Sequence, residues 1–256
     1  MRRWAAPACG VMIALALAEV LPRTGLFPSG SVPPLSSVLG ELADLAGGST
    51  LWTAVAQTCR TWAIGLVLAV VAGVVVGVVI GSVPWLRAAT ASTVEFLRPI
   101  PSVALIPAVI LIVGTGFRSG VVLIVYAAFW QVLLEVLYGV QDVDPVAAQT
   151  ARSYRFGVWD TVRHVVWPTT LPYAVTGIRL AASVALVLAI TGELVIGTPG
   201  VGNLIATAQS GGAITTMYAL VLVTGVLGAL VNLVTRLVER RFLHWHPSVR
   251  RDLEAV

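Results

Sequence analysis

The chain has 256 residues, 57% of them hydrophobic and only 11% charged, with a mean hydropathy of +0.92. A water-soluble domain carries about 25% charged residues, so a surface this poor in charge cannot be kept wetted and its solvent must be largely lipid. The net charge of +4 comes from 16 basic residues, all arginine, which lie between and after the apolar runs; no aromatic-interleaved basic surface argues for a nucleic-acid partner.

A membrane-spanning helix needs about 20 mainly apolar residues to cross roughly 30 Å of hydrocarbon. The first candidate, residues 4–21, follows Arg2 and Arg3 and has the look of a signal peptide, but Glu19 interrupts its end and more spans follow, so a retained helix is expected. The proline- and glycine-rich stretch 22–50 reads as an external loop or lip with a short helix near 38–45. The second span is 61–83. The third has a clean apolar run, 100–113, that is too short; it crosses only if extended back to Val94, which brings in Glu95, Arg98, Pro99 and Pro101. The fourth is 119–137, the fifth 173–196 and the sixth about 214–237. The expected fold class is therefore an all-α membrane protein of about six transmembrane helices.

Arginines set the orientation. Arg2, Arg3, Arg87, Arg152, Arg155, Arg163, Arg236, Arg240, Arg241, Arg250 and Arg251 fall on one side; Arg23 and Arg118 fall on the other, with Arg60 counting against the bias near the outer start of the second span. Both termini are expected in the cytoplasm. Three units follow: an N-terminal helix and external loop (1–50), a transmembrane domain (51–242) and a cytoplasmic tail (243–256).

Gly73, Gly77 and Gly81 recur every four residues on one stripe of the second span, which lets another helix approach closely. Pro99, Pro101 and Pro107 leave backbone groups free in the third span; at membrane depth these must be buried in protein or line a wet cavity, so this segment and Arg98 are pathway candidates. Arg98 itself reads as a topology charge at the inner face. Glu193 lies well inside the fifth span; an intramembrane carboxylate is a functional candidate by default, and a structural hydrogen bond to a neighbouring helix stands level with gating or substrate contact. Cys9 and Cys59 form no CxxC or Cys/His cluster, so no metal site is expected.

The Arg-rich connection 141–172 is the most informative stretch. Asp144-Pro145 reads as an N-cap and first helical residue, with the helix running to about Phe156 and Gly157 ending it. Beyond it Val158, Trp159, Val162, Val165 and Val166 fall on one face at helical spacing, opposite Asp160, Arg163 and His164. A short amphipathic helix between two spans is expected, either lying on the bilayer or docking into a groove on a cytoplasmic partner.

Here the sequence resembles the permease subunits of ABC importers, whose cytoplasmic motif reads EAA, three residues, Gly, nine residues, Ile, any residue, Leu-Pro. Gln149, Thr150, Ala151, Arg155, Val165, Trp167 and Pro168 occupy that spacing. PVAAQTARSY, the 171–181 run, Glu193, the loop GTPGVGNLI with Gly200 and Gly202, and residues 96–116 look like the sulfonate, nitrate and taurine branch; the resemblance covers roughly residues 50–242. Two positions depart from the motif: its Glu is Gln149 and its Gly is Arg155, and Gly157 is expected to take over the turn. The resemblance implies the type I importer permease fold in a bacterial cytoplasmic membrane, a second permease copy or homologue, an external solute-binding protein, and cytoplasmic ATPase subunits that bind ATP and Mg and seat residues 149–168. It implies a small nutrient such as a sulfonate, taurine or nitrate as solute.

The chain contains no lysine and no GxxxxGK[ST] phosphate loop, nucleophile elbow or HExxH, so ATP hydrolysis is expected from another polypeptide. A channel or ion-coupled carrier would require ionisable groups on several spans, and a membrane enzyme would require clustered His, Cys or Asp at depth.

Overall fold

The computed structural model describes residues 2–28 and 30–243, and every regular element among them is helical. In chain order these are α1 (Arg2–Val20), α2 (Leu35–Gly47), α3 (Ser49–Ser82), α4 (Pro84–Leu97), α5 (Ile106–Val113) and α6 (Phe117–Gln141). After them come α7 (Pro145–Ser153), α8 (Val158–Thr161), α9 (Trp167–Ile196), α10 (Val201–Ser210) and α11 (Ile214–Phe242). The tail expected from 243 lies outside the described residues from 244 onward.

Four helical segments, Ser49–Ser82, Phe117–Gln141, Val158–Ile196 and Ile214–Arg241, are long and apolar enough to cross a bilayer; α4 with the stretch Ser102–Val113 makes a further, bent crossing. α1 is helical across the first expected span but is not among the helices long and apolar enough to cross, so the described residues hold four or five such spans where six were expected. Two boundaries differ. The helix of the second span starts at Ser49, because Leu51, Ala54 and Thr58 bury themselves and continue it outward past Arg60, whose guanidinium lies 4.9 Å over the Phe117 ring at the start of α6. The third is not continuous: Pro99 and Pro101 cannot donate to a helix, and the chain bends by 82° between α4 and the Ser102–Val113 segment.

α6 is the most enclosed span and packs between α3 and α9. Its neighbour α3 runs parallel to it. Gly65 faces Ile124, Gly73 faces Val132, Gly77 faces Val136 and Gly81 faces Val140, with Ala69 buried in the same core. A Cβ at Gly73, Gly77 or Gly81 would lie 2.8, 2.7 or 2.8 Å from the nearest valine carbon, about 1 Å inside ordinary contact. On its other side α6 meets α9 antiparallel, with Gly139 against Thr170 and Gly177 against Val132 and Glu135. Here the missing side chains are what bring three backbones together, as the sequence spacing predicts for one of the two interfaces.

Candidate functional site

The Arg-rich connection is built by local chemistry. The Asp144 side chain accepts a hydrogen bond from the Val146 amide at 2.8 Å and Pro145 opens α7, so the helix starts where expected. It ends earlier, at Ser153. Arg155 then adopts φ +56°, while its amide and that of Phe156 bond back to the carbonyls of Arg152 and Ala151 at 2.9 and 3.0 Å. The left-handed turn is thus made by Arg155 itself, at the position of the motif's glycine. Gly157 is extended (φ −67°, ψ 171°) and does not take over the turn; it caps α8.

The short helix expected to hang between two spans is instead continuous with the fifth, in one element from Val158 to Ile196. A π-turn at Val162–Val166 joins them, with the Trp167 amide reaching back to the Val162 carbonyl. Pro168 explains it: the ring has no N–H and crowds the carbonyl four residues back, and a wider turn gives it room. The apolar face is also divided. Val158 and Trp159 stand 86% and 72% exposed, whereas Val162 and Val165 are half-buried and Val166 joins the core. Exposed Val146, Tyr154 and Phe156 extend the outer patch, with Gln149, Thr150 and Arg163 also exposed and Ala151 buried.

A cavity of about 640 Å³ lies between α4 and α6. Arg98 and Pro99 line it, together with Arg87, Glu95, Gln131 and Gln141; Pro101 and Pro107 lie exposed outside it. The Tyr126 hydroxyl donates to the Leu97 carbonyl at 2.8 Å, which fixes the top of α4 against α6. Tyr126 is nine residues into α6, so this point is about 14 Å from the start of that helix and about 22 Å from its end at Gln141. Arg98 therefore sits near mid-height of the bundle rather than at the inner face, because α4 climbs before it breaks.

At the far end of α9, Glu193 is 2% exposed. Its Oε2 accepts from the Thr58 hydroxyl at 2.9 Å and from the Gly202 amide at 3.0 Å, and Thr58 in turn accepts from the Val201 amide at 3.0 Å. The loop Gly197–Gly200 and the start of α10 close over it. A Cβ at Gly200 would lie 2.1 Å from the Glu193 carboxyl carbon, and one at Gly202 would lie 2.2 Å from the Ile190 carbonyl oxygen. Glu193, Gly200 and Gly202 are one enclosed joint between α3, α9 and α10. An ion pair, Arg179 to Glu239 at 3.1 Å, joins α9 to α11.

Residues 47–244 match the family described as the inner membrane component of binding-protein-dependent transport systems. The chain belongs to that family. Taurine transport system permease protein TauC of Escherichia coli (strain K12) is 30% identical over 224 residues, 86% of this chain and 82% of that protein. The putative aliphatic sulfonates transport permease protein SsuC of the same organism is 26% identical over 234 residues, 91% of this chain and 89% of that protein. The structure of an amino acid ABC transporter superposes with a TM-score of 0.64 at 17% identity, covering 78% of this chain and 97% of that one. The fold is that of a type I ABC importer permease, and the protein is a multi-pass membrane component that carries the transport function, not the ATPase.

Within this permease the sequence brings together what its motifs suggested in three groups: the connection 145–168, the joint around Glu193, and the α3 glycines. Arg98 and Pro99 form a fourth with partners that sequence reasoning did not single out, among them Gln131. Thr58 was missed for a plain reason: it is 135 residues from Glu193, and no spacing rule links them. Gly65 and Ala69 continue the glycine stripe at the same four-residue interval and were legible. Glu135, half-buried on α6 beside Gly177, is a further carboxylate at depth.

Proposed function

We propose that the chain forms half of the translocation pathway of an ATP-driven importer, with both termini cytoplasmic. Residues 149–168 seat on a cytoplasmic ATPase dimer that binds ATP and Mg. A second permease covers the α4–α5 face, an external binding protein delivers the solute, and the solute is a small nutrient of the taurine, sulfonate or nitrate kind. The observation that carries this reading is the exposed apolar cluster of Val146, Tyr154, Phe156, Val158 and Trp159 on the Arg-rich connection. Large apolar groups exposed at a fixed position mark a protein or membrane contact, and two of them, Val158 and Trp159, stand on a helix continuous with a span, so a partner gripping them grips the transmembrane bundle.

The test is affinity purification of the tagged permease from its native membranes, with bound ATPase identified by peptide mass spectrometry. Trp159→Asp should abolish co-purification while membrane insertion and yield stay unchanged. Full recovery of the ATPase with both Trp159→Asp and Val158→Asp would refute this docking surface.

A further inference from the structure

Arg87 and Arg98 are eleven residues apart on and just beyond α4. Eleven helical residues make three turns to within about 20°, so the two guanidinium groups share one side and stand about 16 Å apart along the axis. That side faces the cavity, with Glu95 between them and Gln131, Tyr138 and Gln141 opposite on α6. Among the described residues neither arginine has an ion-pair partner, and Glu95 has none either. The lining charges therefore leave an excess of one positive charge.

Two facts restrict what this arrangement faces. An unpaired charge at mid-height is too costly to present to hydrocarbon and turns towards protein or water. The cavity, at about 640 Å³, is of the size that holds a small organic ion and its water. Basic side chains along an aqueous passage favour anions and repel cations.

We propose that this cavity is an anion-selective vestibule of the transport pathway, in which Arg98 is the specificity-determining residue and meets the negatively charged group of the solute, with Arg87 a second cationic station towards the Arg-rich end. The inference rests on the permease reading and adds to it a residue and a direction of charge preference. Gln131 supplies a neutral hydrogen-bonding partner across the cavity. Glu95, one turn from Arg98, keeps the site from binding an anion so strongly that it cannot leave.

The experiment needs no knowledge of the solute. Gln131→Cys is introduced in a background with Cys9→Ser and Cys59→Ser, and the intact transporter is placed in nanodiscs. Modification rates are measured for the anionic 2-sulfonatoethyl and the cationic trimethylammonioethyl methanethiosulfonates, each normalised to a free thiol. The anionic reagent should be preferred by on the order of tenfold. Arg98→Gln should remove that preference, Arg98→Lys should retain it and Arg98→Glu should reverse it. Val94→Cys serves as a second reporter position. If neither cysteine reacts, with or without ATP, the cavity is not aqueous and the proposal fails. It fails equally if both react with a preference that Arg98→Gln leaves unchanged. Either failure in a preparation that still co-purifies with its ATPase removes the vestibule and leaves the ATPase-coupled pathway standing; absence of the ATPase from the wild-type preparation removes that coupling reading instead.

Discussion

Replacing Gly77 with alanine will force α3 and α6 apart. The added methyl would sit 2.7 Å from Val136 Cγ1, 2.9 Å from Val136 Cβ and 3.3 Å from the Leu133 carbonyl oxygen. Ordinary carbon–carbon contact is about 3.5–4.0 Å, so the shortfall is about 1 Å against a branched side chain. Rotating Val136 moves Cγ1 but not Cβ, and the backbone of Leu133 closes the other side. The helices must therefore separate or tilt. Overpacking of this kind costs about 1–3 kcal/mol, and the upper half of that range is expected because Gly73 and Gly81 lie in register on the same stripe. The assay is unfolding of the purified protein by titration with sodium dodecyl sulfate, followed by circular dichroism. Gly225→Ala is the control: its Cβ meets nothing within 4 Å, and alanine there favours the helix. Combining Gly77→Ala with Val136→Ala removes the Cγ1 contact but leaves Cβ at 2.9 Å, so it should recover part of the loss, the non-additivity expected of residues in contact. Gly77→Ala with wild-type stability, and no compensation from Val136→Ala, would refute the packing argument.

Two further outcomes follow from the local geometry. Arg155 holds a left-handed conformation that costs a side chain about 1–2 kcal/mol, so Arg155→Gly should be neutral or mildly stabilising and Arg155→Val clearly destabilising; hydrogen exchange of the Phe156 amide reads the difference, and equal exchange in the two variants would contradict it. Glu193→Ala strips the Gly202 amide and the Thr58 hydroxyl of their buried acceptor at a cost of about 1–3 kcal/mol, and Glu193→Gln, which keeps an oxygen there, should cost less; proteolysis within residues 197–213 measures the loosening, and identical cleavage of the two variants would count against the joint.

How much was legible in the sequence follows from the range of each signal. The Asp144-Pro145 helix start and the glycine stripe are set by neighbours a few residues away, and both lie where local rules put them. The apolar residues at 158–166, read as one face of a separate helix, are divided between an exposed start and a buried end of a helix that runs on into the fifth span. Gly157 and Pro168 look like its two boundaries, and only the Val162–Val166 π-turn reveals that the proline is accommodated and the helix runs on. The depth of Arg98 was misjudged for a related reason. Counting arginines assigns a side but not a height, and the height depends on where Pro99 and Pro101 break the climb of α4. Glu193 was legible as an exceptional residue, while its partners depended on a tertiary contact with α3.

The element from Val158 to Ile196 carries the exposed Trp159 near one end and the enclosed Glu193 near the other, 34 residues and about 51 Å away. It has a seesaw's geometry. Its middle is held against α6 by Ala181, Ala185 and Ala189, residues too short to interlock deeply. Rocking by about 10° about that fulcrum would swing its extremities in opposite directions by some 4–5 Å each. Because Glu193 holds α10 and, through Thr58, the outer part of α3, the displacement would carry both with it. Opening on one face of the bilayer and closing on the other would then be a single rigid-body event, with no additional joint required between them.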